Sequence, residues 1–177
     1  MRIVFTGGPG AGKTTLLQTL VSMGHVTVGD TARAVIKSRL AQGLAPRPDP
    51  RRFAEVILAK EIENFQHHSG ADRVFFDRSV LDALCMLWQL EPSRHAELVA
   101  LAARYPYHHQ AFLFPPWEAI FENDAERDQT FAHAVRVYKP LVDWYLACDY
   151  RIVEVPCMSV GERCRFVLRT LDAATGG

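Results

Sequence analysis

The run Gly7-Gly8-Pro9-Gly10-Ala11-Gly12-Lys13-Thr14 has the spacing G-x-x-x-x-G-K-[ST], and each residue type has a task in it. To ring an anion with backbone N–H groups, the chain must enter conformations that glycine reaches without steric cost. A helix that starts directly afterwards adds partial positive charge at its N-terminus. Lys13 supplies a full charge for β- and γ-phosphates, and the Thr14 hydroxyl is a ligand type suited to Mg²⁺. Such a motif arises by chance in on the order of one chain in a hundred of this length. Here it follows an apolar strand and precedes an amphipathic helix, the context the chemistry requires. The loop predicts binding of ATP or a related NTP such as GTP, with Mg²⁺. The contact residues expected are Gly8, Pro9, Gly10, Ala11, Gly12, Lys13, Thr14 and Thr15.

Acidic and basic side chains supply the remaining chemistry. Asp77 ends the apolar run Val74-Phe75-Phe76. A carboxylate at the C-terminal end of a sheet strand lines the ligand crevice and can hold Mg²⁺ with Thr14. The next residue is Arg78, where hydrolytic P-loop ATPases of the Asp-Glu type carry the glutamate that orients water. That difference, with the lack of an NKxD sequence for reading guanine, favours phosphoryl transfer to a bound acceptor. Asp30 follows a second candidate strand and reads both as a helix cap and as a carboxylate to orient or deprotonate an acceptor hydroxyl. Arg33 lies one helical turn on. Arg78 is a candidate for the acceptor side, and Asp82 reads either as joining it there or as a surface charge. Arg47, Arg51 and Arg52 flank a proline-rich loop and read either as anion-binding or as solvated. The polar segment Glu118–Gln129 reads as a lid, with Arg127 either meeting the transferring phosphoryl group or pairing on the surface with Glu126 or Asp124, and Arg136 in reserve. Val155 and Pro156, beside the phosphate strand, are expected to pack on the base of the nucleotide. His67-His68 and His108-His109 are adjacent pairs, a poor spacing for shared metal ligation.

The elements that must position these residues are legible as alternating strands and helices. Strands are expected at Arg2–Thr6, His25–Val28, Arg73–Phe76, Gln110–Phe114 and Tyr150–Val155. Between them lie helices at Gly12–Met23, Thr31–Gln42, Pro50 to about His67, Val80–Gln89, Ser93–Arg104, Thr130–Ala147 and, after the capping pair Ser159 and Glu162, to about Leu171. Leu16, Leu17, Leu20 and Val21 fall on one face of the first helix. Pro140 predicts a kink or break in the sixth. This alternation is that of an α/β fold, a three-layer parallel sheet with helices on both faces.

The 177 residues fit one domain, 1–177, with a substrate-side helical region at about 31–70 and the lid at about 117–130. Twenty basic and twenty acidic residues cancel, which argues against a nucleic-acid partner and against a nucleic-acid-driven motor. No apolar run is long enough to span a membrane. Without an export signal, Cys85, Cys148, Cys157 and Cys164 read as buried free thiols in a cytoplasmic protein, a monomer or homodimer.

Taken together, GGPGAGKTT, the turn from Asp30 to Arg33, FFDRSVLD, ERDQTF and YRIVEVP resemble the AAA-type ATP-binding domains grouped with the nicotinamide-riboside kinase domain of NadR, over nearly the whole chain. The resemblance implies a kinase-like P-loop fold with five parallel strands in the order 2-3-1-4-5. It also implies ATP or GTP at Gly8–Thr15, magnesium at Thr14 and Asp77, and a lid arginine at Arg127. This chain departs from the family in carrying Asp30 where glutamate is favoured. Two functions follow as expectations. One is a kinase acting on a hydroxyl acceptor such as a nucleoside. The other is a nucleotide-dependent switch or slow NTPase with a protein partner.

Overall fold

The computed structural model describes residues 1–68, 70, 72–122 and 129–175. Strands β1 (Arg2–Gly7), β2 (Val26–Val28), β3 (Val74–Asp77), β4 (Gln110–Phe114) and β5 (Arg151–Glu154) form one sheet in the order β2-β3-β1-β4-β5. Every pairing is parallel, with Phe5 opposite Asp77 on one side and Phe112 on the other. Helices α1 (Lys13–Ser22), α2 (Thr31–Ala41), α3 (Pro50–His67), α4 (Val80–Leu90), α5 (His95–Ala102), α6 (Phe131–Ala147) and α7 (Val160–Thr175) supply the other layers. The three-layer α/β arrangement and the strand order are those expected.

Side-chain alternation along each strand sorts the core into two faces. Ile3, Phe5, Phe75, Phe112 and Phe114 point toward α1 and α7. Val4, Val74, Phe76 and Ala111 point toward α3 to α6, where Leu81, Leu84, Trp144 and Tyr145 are fully buried. Thr6 continues that second row, so its hydroxyl enters the α4–α6 side of the sheet.

Local chemistry sets the element ends. Asp49 caps α3 by accepting from the backbone N–H of Arg51 and Arg52, with Pro50 in the first turn. Gly24 closes α1 at φ 88°, and His25 N–H reaches back to the Leu20 carbonyl at 3.0 Å. Ser159 and Glu162 form a reciprocal capping box ahead of α7.

Some expectations are corrected. Leu16, Leu17 and Leu20 are buried, but Val21 is exposed, because the contact face of α1 is narrower than its apolar run. No break occurs at Pro140, which lies inside a continuous α6. Ser93–Arg104 divides into a 3₁₀ turn at Pro92–Arg94 and the shorter α5. Only Cys85 and Cys164 are buried; Cys148 is half-buried and Cys157 exposed. Among the described residues, no helix is long and apolar enough to cross a membrane.

Candidate active site

Gly7 ends β1 at φ 130°, and a Cβ there would lie 2.3 Å from the Phe114 carbonyl oxygen. Only glycine lets β1 turn into the loop so close to β4. Gly12 sits at the N-cap of α1 in the left-handed region, φ 79°. It brings no side chain to cap the helix, and the first turn of α1 holds no acidic residue. The first-turn N–H groups of α1 are thus left for an anion.

A cavity over this loop is lined by Pro9 to Thr15, Asp30, Asp77, Ala119, Ile120, Glu122, Val160 and Arg163. Lys13 is 5% exposed and donates from Nζ to the Gly8 carbonyl at 2.8 Å and the Gly7 carbonyl at 3.1 Å. Burial first, and the Arg78 charge second, lower its pKa to about 8. Gly8 packs against Ala134 on α6 and gives its carbonyl to Lys13, without lining the cavity.

Thr14 Oγ1 donates to Asp77 Oδ2 at 3.0 Å. Asp77 is buried at the end of β3, and its Oδ1 has no partner among the described residues. Burial raises its pKa, and Lys13 opposes that rise. A hydroxyl beside a carboxylate with one buried oxygen unpartnered fits Mg²⁺, a hard cation that takes a few protein oxygens and completes its shell with phosphate and water.

Arg78 follows in a left-handed backbone conformation, φ 76°. That is strained for a residue with a Cβ and is found where a side chain must be re-aimed at a site. Its guanidinium lies between two carboxylates, Asp82 Oδ1 at 3.5 Å from Nη1 and Asp30 Oδ2 at 3.9 Å from Nε. Asp82 accepts from Thr6 Oγ1 at 2.6 Å, Tyr145 OH at 2.7 Å and Ser79 Oγ at 3.0 Å, all buried. Asp30 caps α2 by accepting from the Arg33 backbone N–H at 3.0 Å through Oδ1. Capping and exposure to the site coexist in it.

A second cavity of about 900 Å³, part of it continuous with solvent, opens beside the first. Apolar side chains of α2, α3, α4 and α6 form its walls, among them Ile36, Phe53, Ile57, Met86 and Val137. Asp30, Arg33, Arg47, Glu61, Arg78, Asp82 and Gln89 supply its polar surface. Pro9 and Asp30 belong to both cavities.

The predicted residues divide accordingly. Pro9 to Thr15, Asp30 and Asp77 meet over the loop, and Arg78, Arg33, Arg47 and Asp82 join Asp30 in the second cavity. Arg51 instead pairs with Glu55 and Glu91. Arg52 and Arg136 are exposed and line neither cavity. Val155 is consumed by the core and Pro156 lines neither cavity, because β5 turns its apolar side toward α7. Arg127 lies outside the described residues. Of the expected lid, Glu118–Ile120 is a 3₁₀ turn whose Ile120 overlies the loop.

Two residues escaped the sequence reading. Arg163, on α7, donates to the Ala11 carbonyl at 3.2 Å and lies 5.3 Å from the Trp117 ring. Glu61, on α3, is 1% exposed and lines the second cavity. Arg163 carries no motif signal. Glu61 falls eight residues after Phe53 and four after Ile57, on the apolar face, and that placement was its available signal.

The AAA domain family matches residues 2–163. The chain belongs to this family. It is a P-loop NTPase by motif, fold and family together. No curated protein matches its sequence. Its fold is similar to that of the deoxyadenosine kinase of M. mycoides with bound dATP, at 11% identity and a TM-score of 0.67, covering 97% of this chain and 100% of that one. The same kinase with products dCMP and a flexible dCDP bound superposes at 12% identity and TM-score 0.71, covering 98% and 100%. At such identities the likeness concerns the fold.

Proposed function

We propose that this AAA domain protein is a kinase that transfers the γ-phosphoryl group of ATP to a hydroxyl of a small, nucleoside-like acceptor. The observation that carries this reading is the junction of the two cavities at Pro9 and Asp30. A donor nucleotide on the loop and an acceptor among α2, α3, α4 and α6 would meet at that carboxylate. The fold shared with deoxyadenosine kinases supports the same reading.

In the proposed reaction Asp30 orients the acceptor hydroxyl and takes its proton as the oxygen attacks the γ-phosphorus. The bond from that phosphorus to the β–γ bridging oxygen breaks, and ADP departs. Lys13 and the α1 N-terminus hold the phosphates and balance their charge. Mg²⁺, held by Thr14 and Asp77, would neutralise the β- and γ-oxygens. Arg78, fixed between Asp30 and Asp82, faces the acceptor and supplies positive charge at the junction.

The test is ADP release with Mg·ATP and a panel of nucleosides and small alcohols, including deoxyadenosine and deoxycytidine. Acceptor-dependent release is expected for at least one. ATP binding without acceptor-dependent turnover across the panel would overturn the kinase and favour a nucleotide-dependent switch.

A further inference from the structure

The acceptor-side cavity contains a buried acid that the proposed transfer does not use. Glu61 projects from the α3 face that carries Phe53 and Ile57, and it is 1% exposed. Asn64 Nδ2 donates to Thr31 Oγ1 at 3.1 Å, and the Thr31 hydroxyl in turn hydrogen-bonds the Glu61 carboxyl. That chain has a direction. Thr31 lowers the Glu61 pKa, as a hydroxyl that donates to one carboxyl oxygen does. The other oxygen, Oε2, is buried and has no partner among the described residues.

Burial first, then the charges of Asp82, Asp30 and Asp77, hold the Glu61 pKa up at about 8, against the lowering effect of Thr31. At neutral pH the group is a carboxylic acid. With its first oxygen beside the Thr31 hydroxyl, the acid is placed to carry its proton on Oε2, a buried O–H donor with no acceptor among the described residues. A site built around such a donor discriminates strongly against ligands that leave it unpaired.

We propose that Glu61 is a specificity-determining residue of the acceptor site, donating a hydrogen bond from Oε2 to a ring nitrogen or carbonyl oxygen of the acceptor. The inference rests on the kinase reading and narrows it. The acceptor has a flat apolar body to lie among Phe53, Ile57, Met86 and Val137, an exposed acceptor atom for Glu61, and a hydroxyl that reaches Asp30. A nucleobase or similar uncharged heteroaromatic ring meets those demands. A polyol, polar on every side, does not.

The test is steady-state kinetics with deoxyadenosine and deoxycytidine as probe acceptors, on the wild type, Glu61→Gln and Glu61→Leu. Glu61→Leu is expected to raise the acceptor KM about tenfold or more, with the ATP KM unchanged. Glu61→Gln, whose amide N–H donates from the same place, keeps it within about threefold. The wild-type acceptor KM rises relative to that of the Gln variant as pH passes about 8, where Glu61 ionises, while Lys13, also at about 8, titrates in both proteins. Other charged or titratable groups face this cavity or the carboxyl: Asp30 and Arg33 of α2 and its cap, Arg47 before α3, Asp77, Arg78 and Asp82 of β3 and α4, Tyr107 before β4, and His133 of α6. The Gln variant retains all of these, so its pH profile isolates Glu61. If Glu61→Leu fails to fold, that profile decides alone. Turnover with equal acceptor KM in all three proteins, or equal pH profiles in wild type and Gln variant, overturns the role of Glu61 and leaves the kinase standing. Turnover of small alcohols but of neither nucleoside overturns the role of Glu61 and leaves the kinase standing, whereas no turnover of any acceptor of the panel by ATP-bound wild type overturns both.

Discussion

The Thr6 hydroxyl donates to Asp82 Oδ1 at 2.6 Å across the sheet–helix interface, joining the strand that enters the phosphate loop to the helix that follows Arg78. Tyr145 and Ser79 complete the shell of Asp82. Asp82 therefore holds Arg78 on one side and the root of the phosphate loop on the other. Asp82→Ala is expected to cost about 3 kcal/mol of stability, because three buried hydroxyls lose their acceptor and Arg78 loses a partner. Tyr145→Phe removes one donor and should cost about 1 kcal/mol. Urea unfolding monitored by tryptophan fluorescence measures both, and an Asp82→Ala protein as stable as wild type would contradict the network.

Lys13→Ala should retain the fold, since it removes a buried charge whose present partners are two loop carbonyls. ATP affinity is expected to fall by about 100-fold, or about 2.7 kcal/mol. Titration calorimetry reads it directly, and unchanged affinity would remove the phosphate-loop assignment.

Asp77→Asn should leave ATP binding largely intact while Mg²⁺-dependent turnover falls by about 100-fold or more. The reason is the Asp77 carboxylate, whose Oδ2 accepts from Thr14 and whose Oδ1 has no partner among the described residues. A Mg²⁺ titration of turnover in the variant is the measurement, and a wild-type response would show that the metal sits elsewhere.

Gly7→Ala should destabilise the protein by more than about 2 kcal/mol. Its new methyl meets a backbone carbonyl at 2.3 Å in a left-handed conformation, and β4 cannot shift without breaking its ladder. Thermal unfolding decides, with a melting temperature equal to wild type as the contrary outcome.

Glu61 makes stability depend on pH in a stated direction. Its folded-state pKa is raised from 4.5 to about 8, so the unfolded chain releases this proton first as pH rises. The contribution is whole below 4.5 and is lost progressively up to about 8. Glu61→Gln escapes that loss. It is expected to match wild type near about pH 4 and to exceed it by on the order of 3 kcal/mol at about pH 8. Parallel denaturation curves at the two pH values would show no such gap if Glu61 were ionised throughout.

Much was readable from local chemistry. The phosphate loop, the Asp49–Pro50 start of α3, the Ser159–Glu162 box and the apolar strands depend on neighbours in sequence, and a local pattern records local physics. Asp30 was legible as a cap and Asp77 as a strand end for the same reason. Val21 and Pro156 came out differently because the packing partners of α1 and β5 decide which apolar atoms meet water or ligand.

By itself the sequence determined an α/β P-loop chain with an anion site at its first turn and an acidic strand end beside it. Those features follow from backbone conformation and period, which each segment carries within itself. Only the tertiary structure decided that Asp82 is a buried anchor rather than a surface charge, that Arg163 touches the loop from α7, and that Glu61 has a buried oxygen with no partner among the described residues. These depend on residues brought together from distant helices, where burial and the count of available partners, not spacing along the chain, fix what a side chain can do.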